Sequence, residues 1–297
     1  MGNLLTSVFV QISDLPGWVY PYDVTGDYDV EDTMQKAHDY FHEILKVPVV
    51  WLVSDSLIER YQDKFRSWIS RYGDEFGIIE GGIGKKFEKD DEVLKYQSWV
   101  EKAGFNWEKL PQQGRAWRDM EYVEQAQAFR YLKKHFDEVL GQNTRILATA
   151  MIDHTTVKAL KDVGLDIIWG YCWNLYGDSL DTKGCVWYPF YVSSINHKIP
   201  SQKGNEGILG VMWGNIDLLN YFNCARLSPL GGNDVCLNPH ELSNRSPEGD
   251  RKDFSKKLIE HLAEQTQWNP FVHIGIQLEA IWMDEGGICN GQCQHWN

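Results

Sequence analysis

Seven short apolar runs punctuate the chain: SVFVQISD (7–14), VPVVWLVSDS (47–56), FGIIEGG (76–82), RILATAMIDH (145–154), LDIIWGYCW (165–173), GILGVMWGN (207–215) and FVHIGIQLEAIW (271–282). Each closes on a polar or aromatic cluster, and most are followed by a helical pattern. Runs of β-branched and apolar residues without alternation suit strands covered on both faces, as in a parallel sheet flanked by helices. The repeated strand–helix order predicts an α/β fold. We expect a single (β/α)7 barrel over residues 1–297, an incomplete TIM-like barrel with long loops at the C-terminal face of the strands.

The helical stretches follow from apolar spacing. Val30, Met34, Ala37, Phe41, Ile44 and Leu45 share one face of a helix over Val30–Lys46. Ser56 and Glu59 have capping-box spacing for a second helix, which should run to Tyr72 and stop at Gly73. Further helices are expected near 91–103, 119–140 (ending at Gly141) and from His154 to Gly164, then over 216–222 and 253–268. A hairpin is expected around 186–192. Trp51, Trp68 and Trp99 read as core, as does His273. His38 and His42, four apart on the first helix without an H-E-x-x-H pattern, are expected at a surface or interface.

In parallel α/β sheets the carboxyl ends of the strands carry the site. Those ends hold acids and tryptophans here. Alternation along the last strand separates Ile274, Ile276 and Leu278 from Gly275, Gln277 and Glu279, so Glu279 falls on an inner face where an unpaired acid is costly. The candidate catalytic acids are Glu279, Asp153, Asp14 and Glu80. Asp153 opens a helix and is equally a candidate N-cap, and Asp55 belongs with its helix start. Indole rings stack on the C–H faces of sugars, and amides read their hydroxyls. Trp18, Trp169, Trp173 and Trp213, with Asn174, Asn215, Gln277 and His154, are therefore candidate substrate-binding residues. The loops over 171–205 and 223–250 follow strands five and six, and loops of that length inside a domain are usually functional. Together these features predict a carbohydrate site.

The formal charge of −13 over 297 residues argues against a nucleic-acid partner, which would call for clustered Lys and Arg. It also disfavours a strongly anionic polysaccharide, unless a local basic pocket overrides the balance. No apolar run approaches the ~18 residues that a membrane span requires. The start MGNLLTSVFVQ lacks a secretory leader pattern, so a secreted or periplasmic protein with its leader removed is expected, or a cytoplasmic one. Six cysteines fall as Cys172/Cys185, Cys224/Cys236 and Cys289/Cys293, which an oxidising compartment could close as local bridges. No Cys or His spacing matches a zinc site, and no G-x-S-x-G elbow or phosphate-binding loop occurs, so no cofactor or metal is expected.

The layout resembles the seven-stranded (β/α) barrels of the polysaccharide-deacetylase-like superfamily and of glycoside hydrolase families 38 and 57. The segments WLVSDSLIERYQDKFRSWISRYGDEFGIIEGG (51–82) and ILATAMIDHTTVKALKDVGLDIIWG (146–170) look like the second-to-third and fourth-to-fifth strand units of such barrels. Deacetylases of this type show an Asp-Asp pair after strand one and His-x-x-x-His after strand three. This chain has Ser13-Asp14, and Glu80-Gly-Gly-Ile-Gly-Lys85 without histidine. The family 57 resemblance implies a carboxylate nucleophile after strand four and an acid/base after strand seven. By order these are Asp153, where that family has Glu, and Glu279. Its His-rich first strand is replaced by Gln11 and Ser13. The resemblance thus implies a glycoside hydrolase, with a deacetylase of altered metal site or a noncatalytic glycan-binding barrel as alternatives.

Overall fold

The computed structural model describes residues 3–12, 30–80, 82–83, 97–110, 115–149, 152–169, 190–193, 196–197, 201, 207–211, 267 and 271–279; for residues 3–6, 11 and 271–279 only the backbone is described. The expected helices over 216–222 and 253–268 lie outside these residues, apart from Gln267. So do all six cysteines and most of the loops over 171–205 and 223–250.

Seven parallel strands form the sheet: β1 (Asn3–Ile12), β2 (Val50–Val53), β3 (Glu75–Ile79), β6 (Ile146–Ala148), β7 (Ile167–Trp169), β9 (Leu209–Val211) and β10 (Phe271–Glu279). Each of the seven apolar runs supplies one. The hydrogen-bonded order is β10-β1-β2-β3-β6-β7-β9, with the short β8 (Phe190–Tyr191) antiparallel on the far side of β9. The last strand therefore returns beside the first, as in a barrel, and successive strands are neighbours. The hairpin expected around 186–192 is realised in part: its described segment, β8, pairs with the sheet strand β9. Close backbone approach there requires Gly207, where a Cβ would stand 2.1 Å from the Val192 carbonyl oxygen.

The sheet is curled. The Phe9 ring on β1 and the Trp169 ring on β7 have centroids 5.2 Å apart, although three strands separate them in the sheet. Strands lie about 4.8 Å apart in the hydrogen-bonding direction, so a flat sheet would hold these positions roughly 19 Å apart. Alternate residues accordingly enter two separate cores. Val8, Val10, Ile12, Trp51, Val53, Phe76, Ile78, Leu147 and Ile168 face the helices, meeting Phe65, Trp68, Phe129, Phe136 and Leu160. Phe9, Leu52, Ile79, Ile146, Ala148, Trp169 and Val211 form a smaller apolar cluster on the concave side. Gly77 leaves room on that side: a Cβ there would lie 2.8 Å from both the Ile146 Cβ and the Leu52 Cδ2.

Two of the covering helices end as their sequences dictate. Helices α1 (Val30–His38), α2 (Asp55–Arg60), α3 (Gln62–Tyr72), α4 (Tyr122–Leu140) and α5 (His154–Val163) follow the strands. α3 and α4 stop at Gly73 (φ 76°) and Gly141 (φ 70°), left-handed caps that glycine adopts without strain. The N-terminus of α2 departs from expectation. Its N-cap is Ser54, which makes no side-chain capping bond, so Ser56 and Glu59 do not form the expected box. The Glu80 carboxylate supplies an acceptor there instead.

The first helix departs more. From Asp39 to Leu45 it winds as a π-helix and closes on Lys46 in the left-handed region (φ 54°). The wider turn breaks the 3.6-residue frame. Met34, Ala37 and Phe41 stay in the core, but Ile44 and Leu45 turn out to solvent, at 67% and 46% exposure. His42 turns inward in their place. Contrary to the surface role expected from their spacing, His38 and His42 are both buried. The His42 Nε2 lies 2.9 Å from the Asp74 Oδ2, which also accepts from the Trp51 Nε1 (2.6 Å), while the Val49 amide donates to the Asp74 Oδ1 (3.0 Å). The His38 ring stacks on Trp68 at 4.5 Å. This lock sits at the amino-terminal end of β3, where conserved geometry in barrels serves stability. Trp51, Trp68 and Trp99 are buried, as their sequence context predicts.

Candidate active site

The carboxyl ends of the parallel strands define the candidate site. β3 runs out into Glu80, which is almost wholly buried. Its Oε1 accepts from the Asp55 amide at 3.3 Å, an otherwise unsatisfied donor at the first position of α2. A carboxylate against a helix start is also favoured by the helix dipole. The Trp117 indole fixes the Glu80 backbone by donating to its carbonyl oxygen at 2.6 Å. That indole is delivered by a small two-stranded sheet, β4 (Gly82–Ile83) antiparallel to β5 (Arg115–Ala116), which continues from the strand end. The backbones cross so closely that a Cβ at Gly82 would fall 2.0 Å from the Arg115 carbonyl oxygen.

Beyond β6, Asp153 is the N-cap of α5. Its Oδ1 accepts from the Thr156 amide (2.8 Å) and the Thr156 hydroxyl (2.9 Å), and its own amide meets that hydroxyl at 3.3 Å. Both bonds fall on one oxygen, so the Oδ2 of this half-exposed side chain makes no hydrogen bond among the described residues. His154 follows as an exposed first residue of the helix. Trp169, at the end of β7, lies in the concave apolar cluster against Phe9.

On β10 the register pairs position 277 with Phe9 and position 279 with Gln11. Directly paired residues in a parallel ladder share a sheet face, so positions 275, 277 and 279 alternate with the outward set as the sequence pattern predicts. Glu279 is the last residue of the strand. Glu80, Asp153, Trp169, Gln277 and Glu279 thus stand at or just beyond the same ends of their strands. Asp14, Trp18, Trp173, Asn174, Trp213 and Asn215 lie outside the described residues.

A second group of ionisable side chains stands behind Asp55 and was not singled out as a unit by the sequence. The His135 Nδ1 is 3.0 Å from the Tyr131 hydroxyl and 3.9 Å from the Asp55 Oδ1, and its Nε2 is 3.2 Å from the Glu59 Oε1. Burial holds the His135 imidazole below its ordinary pKa, against the pull of the Glu59 carboxylate. Burial, with Asp55 and Glu59 nearby, pushes the Tyr131 phenol up. The only sequence signal was the i,i+4 spacing of Tyr131 and His135, which marks one helix face but not what it meets.

A catalytic metal, which the deacetylase likeness implies, is not matched after β3. The position of the histidine pair is taken by Glu80, whose carboxylate already serves the α2 amide, and Gly81 to Lys85 bring no imidazole. Among the described residues no three His, Cys, Asp or Glu side chains converge as a ligand set. No helix among them is long and apolar enough to cross a membrane.

No protein-family profile matches the chain, and no curated protein does. Solved structures do. A protein assigned as a glycoside hydrolase/deacetylase from Parabacteroides distasonis superposes with a TM-score of 0.58 at 15% identity, covering 98% of this chain and 65% of its own. This chain therefore spans less than two thirds of that structure. A protein assigned as a polysaccharide deacetylase from Mycobacterium smegmatis (TM-score 0.44, 11% identity, 99% and 83% coverage) and an allantoinase (0.47, 10%, 95% and 79%) fall below a TM-score of 0.5 and carry no argument. The first likeness shows a shared α/β barrel-like fold. At such identity it shows nothing more.

Proposed function

We propose that the chain is a carbohydrate-active hydrolase, and specifically a glycoside hydrolase working at the carboxyl ends of the strands. The observation that supports this reading is the strand order: β10 lies parallel beside β1 in the same sheet, so the carboxyl ends of β10, β3 and β7 point the same way. Glu279 and Asp153 are the proposed catalytic pair, with Asp14 and Glu80 in reserve. One carboxyl protonates the leaving oxygen. The other attacks the anomeric carbon or activates water. A separation of about 5 Å would give retention of configuration, and about 6.5–9.5 Å inversion. The Oδ2 of Asp153, without a hydrogen bond among the described residues, is the atom available for this while Oδ1 caps the helix. Trp169 would floor the site, with Trp18, Trp173 and Trp213 stacking on sugar rings and Asn174, Asn215, Gln277 and His154 reading hydroxyls.

The test is digestion of a polysaccharide panel by wild type and Glu279→Gln. The variant should lose at least about 100-fold in kcat with an unchanged melting temperature. Unchanged turnover on a cleaved glycan removes Glu279 from the mechanism. A second reading, hydrolysis of an N- or O-acetyl group from a sugar, draws support from the likeness to a protein assigned to both activities. Acetate release without chain cleavage would favour it. Sugar affinity that survives loss of every strand-end carboxylate would instead favour a binding barrel.

A further inference from the structure

We propose that a second sugar pocket, suited to a ring carrying a carboxylate, lies outside the strand ends between α4 and the segment that precedes β5. An open cavity of about 520 Å³ is lined there by Phe105, Asn106, Lys109, Arg115, Glu124 and Gln127, with Gly104 and Leu110 at its edge. It sits at the same end of the sheet as Glu80, because β5 pairs with β4 directly after that residue.

The lining is built, not incidental. The Arg115 guanidinium grips Glu124 through two bonds, 3.1 and 2.8 Å, and holds that carboxyl below its usual range. The Glu124 Oε2 also accepts from the Glu121 amide at 3.0 Å, so the ion pair is anchored to the first turn of α4. Gln127 gives its amide nitrogen to the Ala103 carbonyl at 2.7 Å, which fixes the side chain and leaves its oxygen free to accept. Gly104 (φ 88°) forms bare wall beside it, since a Cβ there would come within 2.9 Å of the Gln127 Nε2. Three residues of the lining carry polar groups with no side-chain partner among the described residues: the Asn106 amide, the Lys109 ammonium and the Gln127 Oε1.

Donors and acceptors spaced around an apolar ring suit a polyhydroxylated ligand. The charge decides which one. Glu124 is consumed by Arg115, so among the described residues Lys109 has no ion-pair partner, on a chain whose formal charge is −13. A local positive site of this kind draws an anion despite the global balance. A uronate-type ring supplies both hydroxyls and a carboxylate. This inference takes only its ligand class from the proposed function and does not depend on which acids are catalytic.

The experiment is a two-dimensional amide NMR titration of the full chain with glucuronate, with methyl glucoside and acetate as separate arms. Glucuronate should shift the amides of Gly104, Phe105, Asn106 and Lys109 saturably, at about millimolar Kd. Lys109→Ala should weaken binding roughly two- to fivefold, as for an exposed ion pair, and Asn106→Ala should weaken it as well. Both residues are exposed, so the melting temperature should not move. The proposal is overturned if glucuronate gives no saturable shift there, if Lys109→Ala binds as tightly, or if acetate or methyl glucoside alone reproduces the effect. Because the readout is binding, it stands or fails separately from turnover at the strand ends.

Discussion

Asp74 lies just before β3 and Glu80 just after it, and both are buried. Their partners differ. Asp74 takes donors from three places, the π-helical turn (His42), β2 (Trp51) and the backbone leading into β2 (Val49), with distances of 2.6–3.0 Å. It ties separate elements together and commits both oxygens. Glu80 and Asp153 lean instead on backbone amides at the starts of the helices that follow the strands, and Asp153 keeps one oxygen uncommitted among the described residues. Before β3 a buried acid ties three elements together; beyond β3 and β6 the acids satisfy amides at helix starts.

Several substitutions would break or sharpen this contrast. The largest effect is expected from Asp74→Ala, which strands His42, Trp51 and the Val49 amide without an acceptor. It should cost about 3–5 kcal/mol in urea unfolding, because three buried donors lose their acceptor, at about 1–3 kcal/mol each. A cost under about 1 kcal/mol would deny Asp74 its tying role.

Next comes Gly77→Ala on the concave face, where the new methyl would collide with Ile146 and Leu52. Overpacking of this kind costs about 1–3 kcal/mol. A neutral result would mean that the interior cluster is looser than its spacings indicate.

A third test uses pH. His42 is pushed below its ordinary pKa, chiefly by burial, with Asp74 opposing and His38 adding to the depression, while Tyr72 stacks on its ring. His135 is depressed by burial as well, with Glu59 and Glu138 opposing and Lys102 reinforcing the shift. A depressed histidine is neutral in the fold and takes up its proton more readily when unfolded. Its stabilising contribution is therefore complete above the unfolded pKa of about 6.5 and is lost as the pH falls below it. Melting temperatures measured from pH 7.5 to 5 should decline on the acid side. His42→Gln, which keeps a donor for Asp74 but does not titrate, should flatten that decline; an unchanged profile would exclude His42 as its source.

The smallest effect belongs to the exposed side of the π-helical turn, with its buried side as the control. Ile44→Ser should stay within about 0.5 kcal/mol because the side chain is in solvent. Phe41→Ala, three residues earlier and buried, should cost about 3–5 kcal/mol. Equal costs would contradict the change of helical period between them.

How much of this was legible beforehand differs by element. The seven strands were visible because a strand covered on both faces cannot spare polar positions, and each apolar run marks itself without reference to the others. The ends of α3 and α4 were visible because Gly73 and Gly141 occupy a backbone region that most side chains avoid. The alternation in β10 was legible for the same local reason: position parity sets the face, and the pairing of 277 with Phe9 agrees with it. The α2 cap was misread, since Ser56 and Glu59 have the right spacing but Glu80, far along the chain, brings a carboxylate to the helix start.

The chain's own order of residues determined the class of fold, the count of parallel strands and which acids lie near strand ends, all of which depend on near neighbours and hydrophobic period. Only the folded arrangement decided that β10 sits against β1, that a π-helical turn buries His42 while exposing Ile44, that Asp55 faces His135, and that Lys109 shares a cavity with Gln127. Those outcomes depend on contacts between residues remote in sequence. Local propensity carries no record of such contacts until the sheet curls and the helices dock.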